Sequence, residues 1–170
     1  MKKSAVVALG LLLLSLLGGS PATPVPVSPA EGDILVKALD YLAKSHRGDG
    51  TWAVRDADCK IMPGVNKAPK QDTYTSIDVK AWVSSCAALA FIAEGTTPTS
   101  KGKYSPVLAK AIDFVVAAAD NPDIALSNHA TYTIPFVEIL LAELILNKSL
   151  YPEEKRKDLL PKLQRLVDAN

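Results

Sequence analysis

From residue 31 onward the chain uses two kinds of apolar pattern. In three stretches apolar residues recur at helical spacing and leave a wet face. These are Ile34, Leu35, Ala38, Leu39 and Leu42 opposite Lys37, Asp40 and Lys44, then Val107 to Val116, then Leu159 to Val167. Two further stretches leave almost no wet face. Ala81 to Ala93 carries no charge at all, and the segment after Thr133 carries only Glu138 and Glu143. A helix that is apolar all round must be covered on every side, so these two are expected in an inner layer.

Start and stop signals turn the stripes into five predicted helices. Ser28-Pro29-Ala30-Glu31 reads as a capping box with proline at the first helical position. A loop carrying Gly48, Gly50, Pro63, Gly64 and Pro69 follows, from about Arg47 to Thr75. The second helix starts near Ser76 and stops at Gly95, and Ser105-Pro106 opens the third. A fourth is expected from about Thr133 to Asn147. Pro152-Glu153-Glu154 opens the fifth, which Pro161 is expected to kink or split.

The first thirty residues follow another logic. Lys2 and Lys3 precede an apolar run from Ala5 to Leu17, and Ser20-Pro21-Ala22 offers small residues for cleavage. This is the three-part order of a secretory signal peptide, and the run falls short of the ~20 residues of a spanning helix. The expected organisation is therefore a signal peptide over 1–22, a Pro-rich linker over 23–30 and a helical domain over 31–170. The protein is expected to be extracytoplasmic, periplasmic or secreted, with no stable membrane span after cleavage. In that setting Cys59 and Cys86 have two readings: a disulfide worth about 3 kcal/mol, or a small buried hydrophobe in Cys86 and a free loop thiol in Cys59.

Composition narrows the classes. The 19 basic and 18 acidic residues give a net charge of +1, which offers no electrostatic footprint for nucleic acid. Aromatics are 6% and alanine is abundant, which favours packed helices over a β-sandwich.

An internal repeat adds architecture. Lys37-Ala38-Leu39-Asp40-Tyr41-Leu42 matches Lys110-Ala111-Ile112-Asp113-Phe114-Val115 in residue type at every position. Each copy is followed by a loop and then by one of the apolar helices. Repeated outer and inner helices that cannot bury their own faces must stack on one another.

The first copy, running on through His46 to Gly50-Thr51-Trp52, resembles the QW repeat of terpenoid cyclases and protein prenyltransferases. Lys37, Tyr41, Leu42, Gly50 and Trp52 match its pattern, with Ala38 in place of glycine and His46 in place of glutamine. The resemblance covers most of residues 31–147, though only one copy keeps Gly-x-Trp. It implies an all-α fold of α/α-toroid type, here partial, in which Gly50 makes a tight turn and Trp52 stacks on His46 to tie outer helices together without chemistry.

The family's catalytic elements fare less well. The nearest string to the cyclase acid motif is Asp56-Ala57-Asp58-Cys59, with two of three carboxylates. The prenyltransferase zinc set needs Cys two residues after Asp, whereas Cys59 follows Asp58 directly, and His129 is the remaining ligand type. No cofactor and no metal are therefore expected. Asp78, Lys80, His129 and Glu138 are the candidates for a concave face or cavity mouth, and helix-end electrostatics is their competing reading. The expected function is a non-catalytic binding or structural module for a protein, glycan or lipid. The alternative is a partial or degenerate cyclase or prenyltransferase acting on a polyprenyl or triterpene. Five helices are too few to close a toroid, so exposed inner helices make a homo-oligomer a reasonable expectation.

Overall fold

The computed structural model describes residues 29–52, 76–127 and 129–169. Seven helices appear among them: α1 (Pro29–Ser45), α2 (Ile77–Ala93), α3 (Ser105–Ala118), α4 (Asp123–Leu126), α5 (Ala130–Leu146), α6 (Glu153–Arg156) and α7 (Leu159–Ala169). The described residues contain no strand. The chain divides into two units, 1–36 and 37–170, with the boundary inside α1. Of the first unit only the opening turns of α1 are described, and the packed core belongs to the second.

The core explains why α2 is apolar all round, whereas α5, expected in the same inner layer, buries one face and leaves Ile139 and Leu146 exposed. Phe91, Leu108, Ile112, Ile134, Leu140, Leu141 and Leu144 are wholly buried in one cluster that α2, α3 and α5 share. α2 packs most extensively on α3 and on α5, and α5 also packs on α7. Ring contacts give the directions. Phe91, late in α2, lies 5.2 Å from Tyr104, just before α3, so those two helices run antiparallel. Trp82, early in α2, lies 5.8 Å from Tyr132 and 6.4 Å from Phe136, early in α5, so α2 and α5 run parallel. The two mostly apolar helices are thus parallel neighbours, and α2 also packs against the antiparallel α3.

Helix ends follow local chemistry. α2 stops where expected. Gly95 takes φ +94°, its amide donates to Ile92 O, and the Thr96 amide donates to Phe91 O at 3.0 Å, which satisfies the last carbonyls. One expected boundary is corrected. α5 begins at Ala130, one turn before the expected Thr133, and carries Pro135 inside it. The fifth predicted helix is split, as Pro161 implies. The break lies at Lys157 and Asp158, where a continuous helix would set the Pro161 ring against the Lys157 carbonyl, and α7 restarts with Pro161 as its third residue. α4 is a single turn that helical periodicity does not register.

Candidate functional site

The Gly-x-Trp segment closes the end of α1 on α3. Gly50 has φ +89°, and a Cβ there would lie 2.9 Å from Phe114 Cβ and closer still to the Lys110 carbonyl oxygen. Only glycine fits, both for the backbone angle and for the approach to α3. The Arg47 amide donates to Thr51 O at 2.8 Å, and Asp49 accepts from the Thr51 amide and hydroxyl, which fixes the turn. Trp52 then folds back over the helix end. Its indole N–H donates to Leu42 O at 2.7 Å, satisfying one of the orphan carbonyls of α1. Its ring meets His46 edge-on at 5.0 Å and Phe91 at 6.3 Å. Burial, then repulsion from Lys110, hold the His46 imidazolium below its ordinary pKa. Of the other motif residues, Lys37 is exposed and Tyr41 is 71% exposed.

A second tie uses the same helices. Asp40 of α1 accepts from Lys103 Nζ at 2.5 Å and from the Tyr104 hydroxyl at 2.6 Å. Its carboxyl is held below the usual range by those two bonds, and the Tyr104 phenol is pushed up to about 12 by the same contact.

The candidates Asp78 and His129, read separately from the sequence, come together. Asp78, in the first turn of α2, is buried, and its carboxylate lies 3.1 Å from His129 Nδ1 just before α5. Burial alone pushes Asp78 up. The hydroxyls of Ser76 and Ser127, the Val79 amide and His129 outweigh it, so the carboxyl sits below its ordinary value. An ionised Asp78 accepts from His129 Nδ1–H, and the His129 side chain is 34% exposed. Thr133 Oγ1 donates to Asp78 O at 3.3 Å and closes the same junction. The parallel run of α2 and α5 creates this pair, because it brings two N-terminal ends side by side.

An aromatic row continues from the pair along the same seam. Trp82, one turn after Asp78, stacks on Tyr132 and reaches Phe136. Spacings of four residues, 78 to 82 and 132 to 136, place these side chains in line. Cys86 follows a turn later, half-buried, its thiol pushed up by burial.

The remaining candidates are elsewhere. Lys80 acts on Asp49, whose carboxyl is lowered first by the Thr51 hydroxyl and in smaller part by Lys80. Glu138 lies nine residues beyond His129, about 13 Å further along α5. One of its oxygens is buried without a hydrogen-bond partner, and burial pushes its carboxyl up. Asp56, Asp58 and Cys59 lie outside the described residues, and so does any bridge from Cys59 to Cys86. Among the described residues no three His, Cys, Asp or Glu side chains gather as a metal-ligand set. No helix among them is long and apolar enough to cross a membrane.

Chemically, Asp78 orients the His129 ring at the junction of α2 and α5. The Ser76 and Ser127 hydroxyls are spent on the carboxylate. A cleft of about 690 Å³ at the far end of α3 holds Lys155, Lys162 and Arg165, but Asp120 pairs with two of these cations. It stitches α3 to α7. No family model matches the chain, and neither the curated proteins nor the solved structures give a match.

Proposed function

We propose that residues 31–170 are an exported, non-catalytic helical-repeat module of partial α/α-toroid type. It binds its ligand where the N-terminal ends of α2 and α5 meet. The observation that carries this reading is the Asp78–His129 pair heading the aromatic row of Trp82, Tyr132 and Phe136. Such a row offers an apolar, ring-shaped surface, and the partly exposed His129 ring at its end adds one directional hydrogen bond. A glycan or an amphipathic lipid suits that combination better than a strongly charged ligand.

The α/α reading has support of its own. Gly50 and Trp52 tie the end of α1 to α3, as a structural QW repeat would. Leu39 and Ile112 occupy the same place in the two repeat copies and are both buried. Tryptophan fluorescence tests the binding reading by titrating the purified chain with neutral oligosaccharides and with vesicles containing a polyprenyl alcohol. One of these probes is expected to bind, and Tyr132→Ala and His129→Ala are expected to weaken that binding at least tenfold while helicity is retained. Turnover of a polyprenyl substrate, or stoichiometric zinc lost with His129→Ala, would establish the enzyme-like alternative instead.

A further inference from the structure

The last turns of α1 are held to the core by few side chains. Between residues 37 and 45 only Leu39 is buried, with Leu42 and Ala43 packed half-buried against the core. Two polar ties add to this. One is Asp40 on Lys103 and Tyr104, and the other is Trp52, whose indole N–H caps the helix end at Leu42 O. His46 lies at the second tie, edge-on to the Trp52 ring at 5.0 Å. Its Nε2 is buried and has no hydrogen-bond partner among the described residues.

That placement suits a neutral imidazole and not an imidazolium. A neutral ring can turn its unprotonated nitrogen to the buried side. The charged ring carries a proton on both nitrogens and would bury an unpaired donor. Surrounding charges add to the penalty. From α3, Lys110 repels a positive ring, and its ammonium is fixed nearby by donating to Gly48 O at 3.1 Å. Asp49, in the intervening turn, attracts one in smaller part, but its carboxylate is engaged by the Thr51 amide and hydroxyl and acted on by Lys80 of α2. Protonation therefore costs more with Trp52 docked than with it released. The docked ring's pKa lies below the ordinary 6.5, so docking is at full strength above 6.5 and weakens as pH falls toward the docked value. The Asp40 tie is unaffected over that range, because its carboxyl titrates below 3.8.

We propose that His46 is an acid switch for the α1 junction. Proton uptake there frees Trp52 from the helix end and loosens residues 37–52 from α3, while the core shared by α2, α3 and α5 stays folded. Loosening uncovers apolar surface, because Leu39 and Trp52 are buried and the Trp52 ring lies 6.3 Å from Phe91. The switch is separate from ligand binding at the Asp78–His129 junction, which uses other residues.

Proton NMR and amide hydrogen exchange on the full-length chain test the switch. His46 and His129 are its two histidines, so His46→Gln assigns their ring signals. The His46 signal is expected to titrate with a midpoint below 6.5. Amide exchange over residues 37–46, corrected for intrinsic rates, is expected to rise about fivefold or more between about pH 7 and about pH 5, with the buried centre of α5 unchanged. His46→Gln, uncharged throughout this range, is expected to abolish that rise. Lys110→Met keeps the switch and removes the opposing charge, so it should raise the His46 midpoint and shrink the rise. Midpoint and pH ratio are both insensitive to a loosening that is the same at every pH. The proposal is overturned by a wild type without the acid-induced rise, or by a His46 midpoint at or above 6.5. An undiminished rise in His46→Gln, or an unmoved midpoint in Lys110→Met, would overturn it equally.

Discussion

Single residues carry the junctions in this molecule, and the costs of changing them follow from geometry. Gly50 is constrained twice, by its backbone angle and by the Lys110 carbonyl standing where a side chain would begin. Gly50→Ala is therefore expected to destabilise by about 3 kcal/mol or more, read by chemical denaturation. Trp52→Phe keeps an aromatic ring but removes the donor to Leu42 O, with an expected loss of about 1–2 kcal/mol, whereas Trp52→Ala should lose about 3–5 kcal/mol. Glu138 works in the opposite sense. Its folded-state pKa is raised by burial, so the folded protein holds the proton more tightly than the unfolded chain. Its contribution is most favourable below the unfolded value of 4.5 and is lost as pH rises through the folded pKa. Glu138→Gln should therefore raise the melting temperature near neutral pH, with the gain vanishing in acid. An equal gain at all pH values would show that ionisation is not the cause.

At the scale of elements, long periodic stripes were legible and junctions were not. The five stripes name α1, α2, α3, α5 and α7 because their burial depends on spacing that the chain itself displays. The start of α5 at Ala130 was hidden because Pro135 reads as a first-turn residue, though a proline one turn deeper loses only one backbone bond. The split ahead of α7 was legible from Pro161, which acts on the carbonyl four residues before it, at the Lys157 break. The candidate site was half legible. Residue type singled out Asp78 and His129, but their meeting depends on α2 and α5 running parallel, which no local pattern encodes. The aromatic row had a signal, the four-residue spacing of Tyr132 and Phe136, which shows only once Trp82 is known to face it.

The same junction predicts an asymmetry between its two members. Asp78→Ala removes a buried carboxylate and strands the donors of Ser76, Ser127 and His129, so it should cost about 2–4 kcal/mol. His129→Ala removes a third-exposed ring and should cost about 1 kcal/mol. A double-mutant cycle should return a coupling of about 0.5–2 kcal/mol, and zero coupling would show that the pair does not join the two helices.

For the whole molecule, three carboxylates among the described residues link elements that are distant in sequence. Asp40 joins α1 to the residues before α3, Asp78 joins α2 to the start of α5, and Asp120 joins the end of α3 to Lys162 and Arg165 of α7. All three have folded-state pKa values below the ordinary 3.8. Their stabilisation is fully present above that unfolded value and is lost as pH falls through the folded values, where the folded state must take up protons. The protein is therefore expected to hold its stability down to about pH 4 and to unfold at lower pH, followed by helical circular dichroism. Salt separates the contributions. Asp40 and Asp120 sit in partly exposed ion pairs and are screened, whereas the buried Asp78 is not. Added salt should weaken the Asp40 and Asp120 parts of the transition and leave the Asp78 part in place. Asp78→Asn should be less stable at neutral pH and should show a shallower loss of stability in acid, because one of the titrating groups is gone. An acid transition of unchanged slope in Asp78→Asn would mean that this carboxylate does not couple folding of the α2–α5 seam to pH.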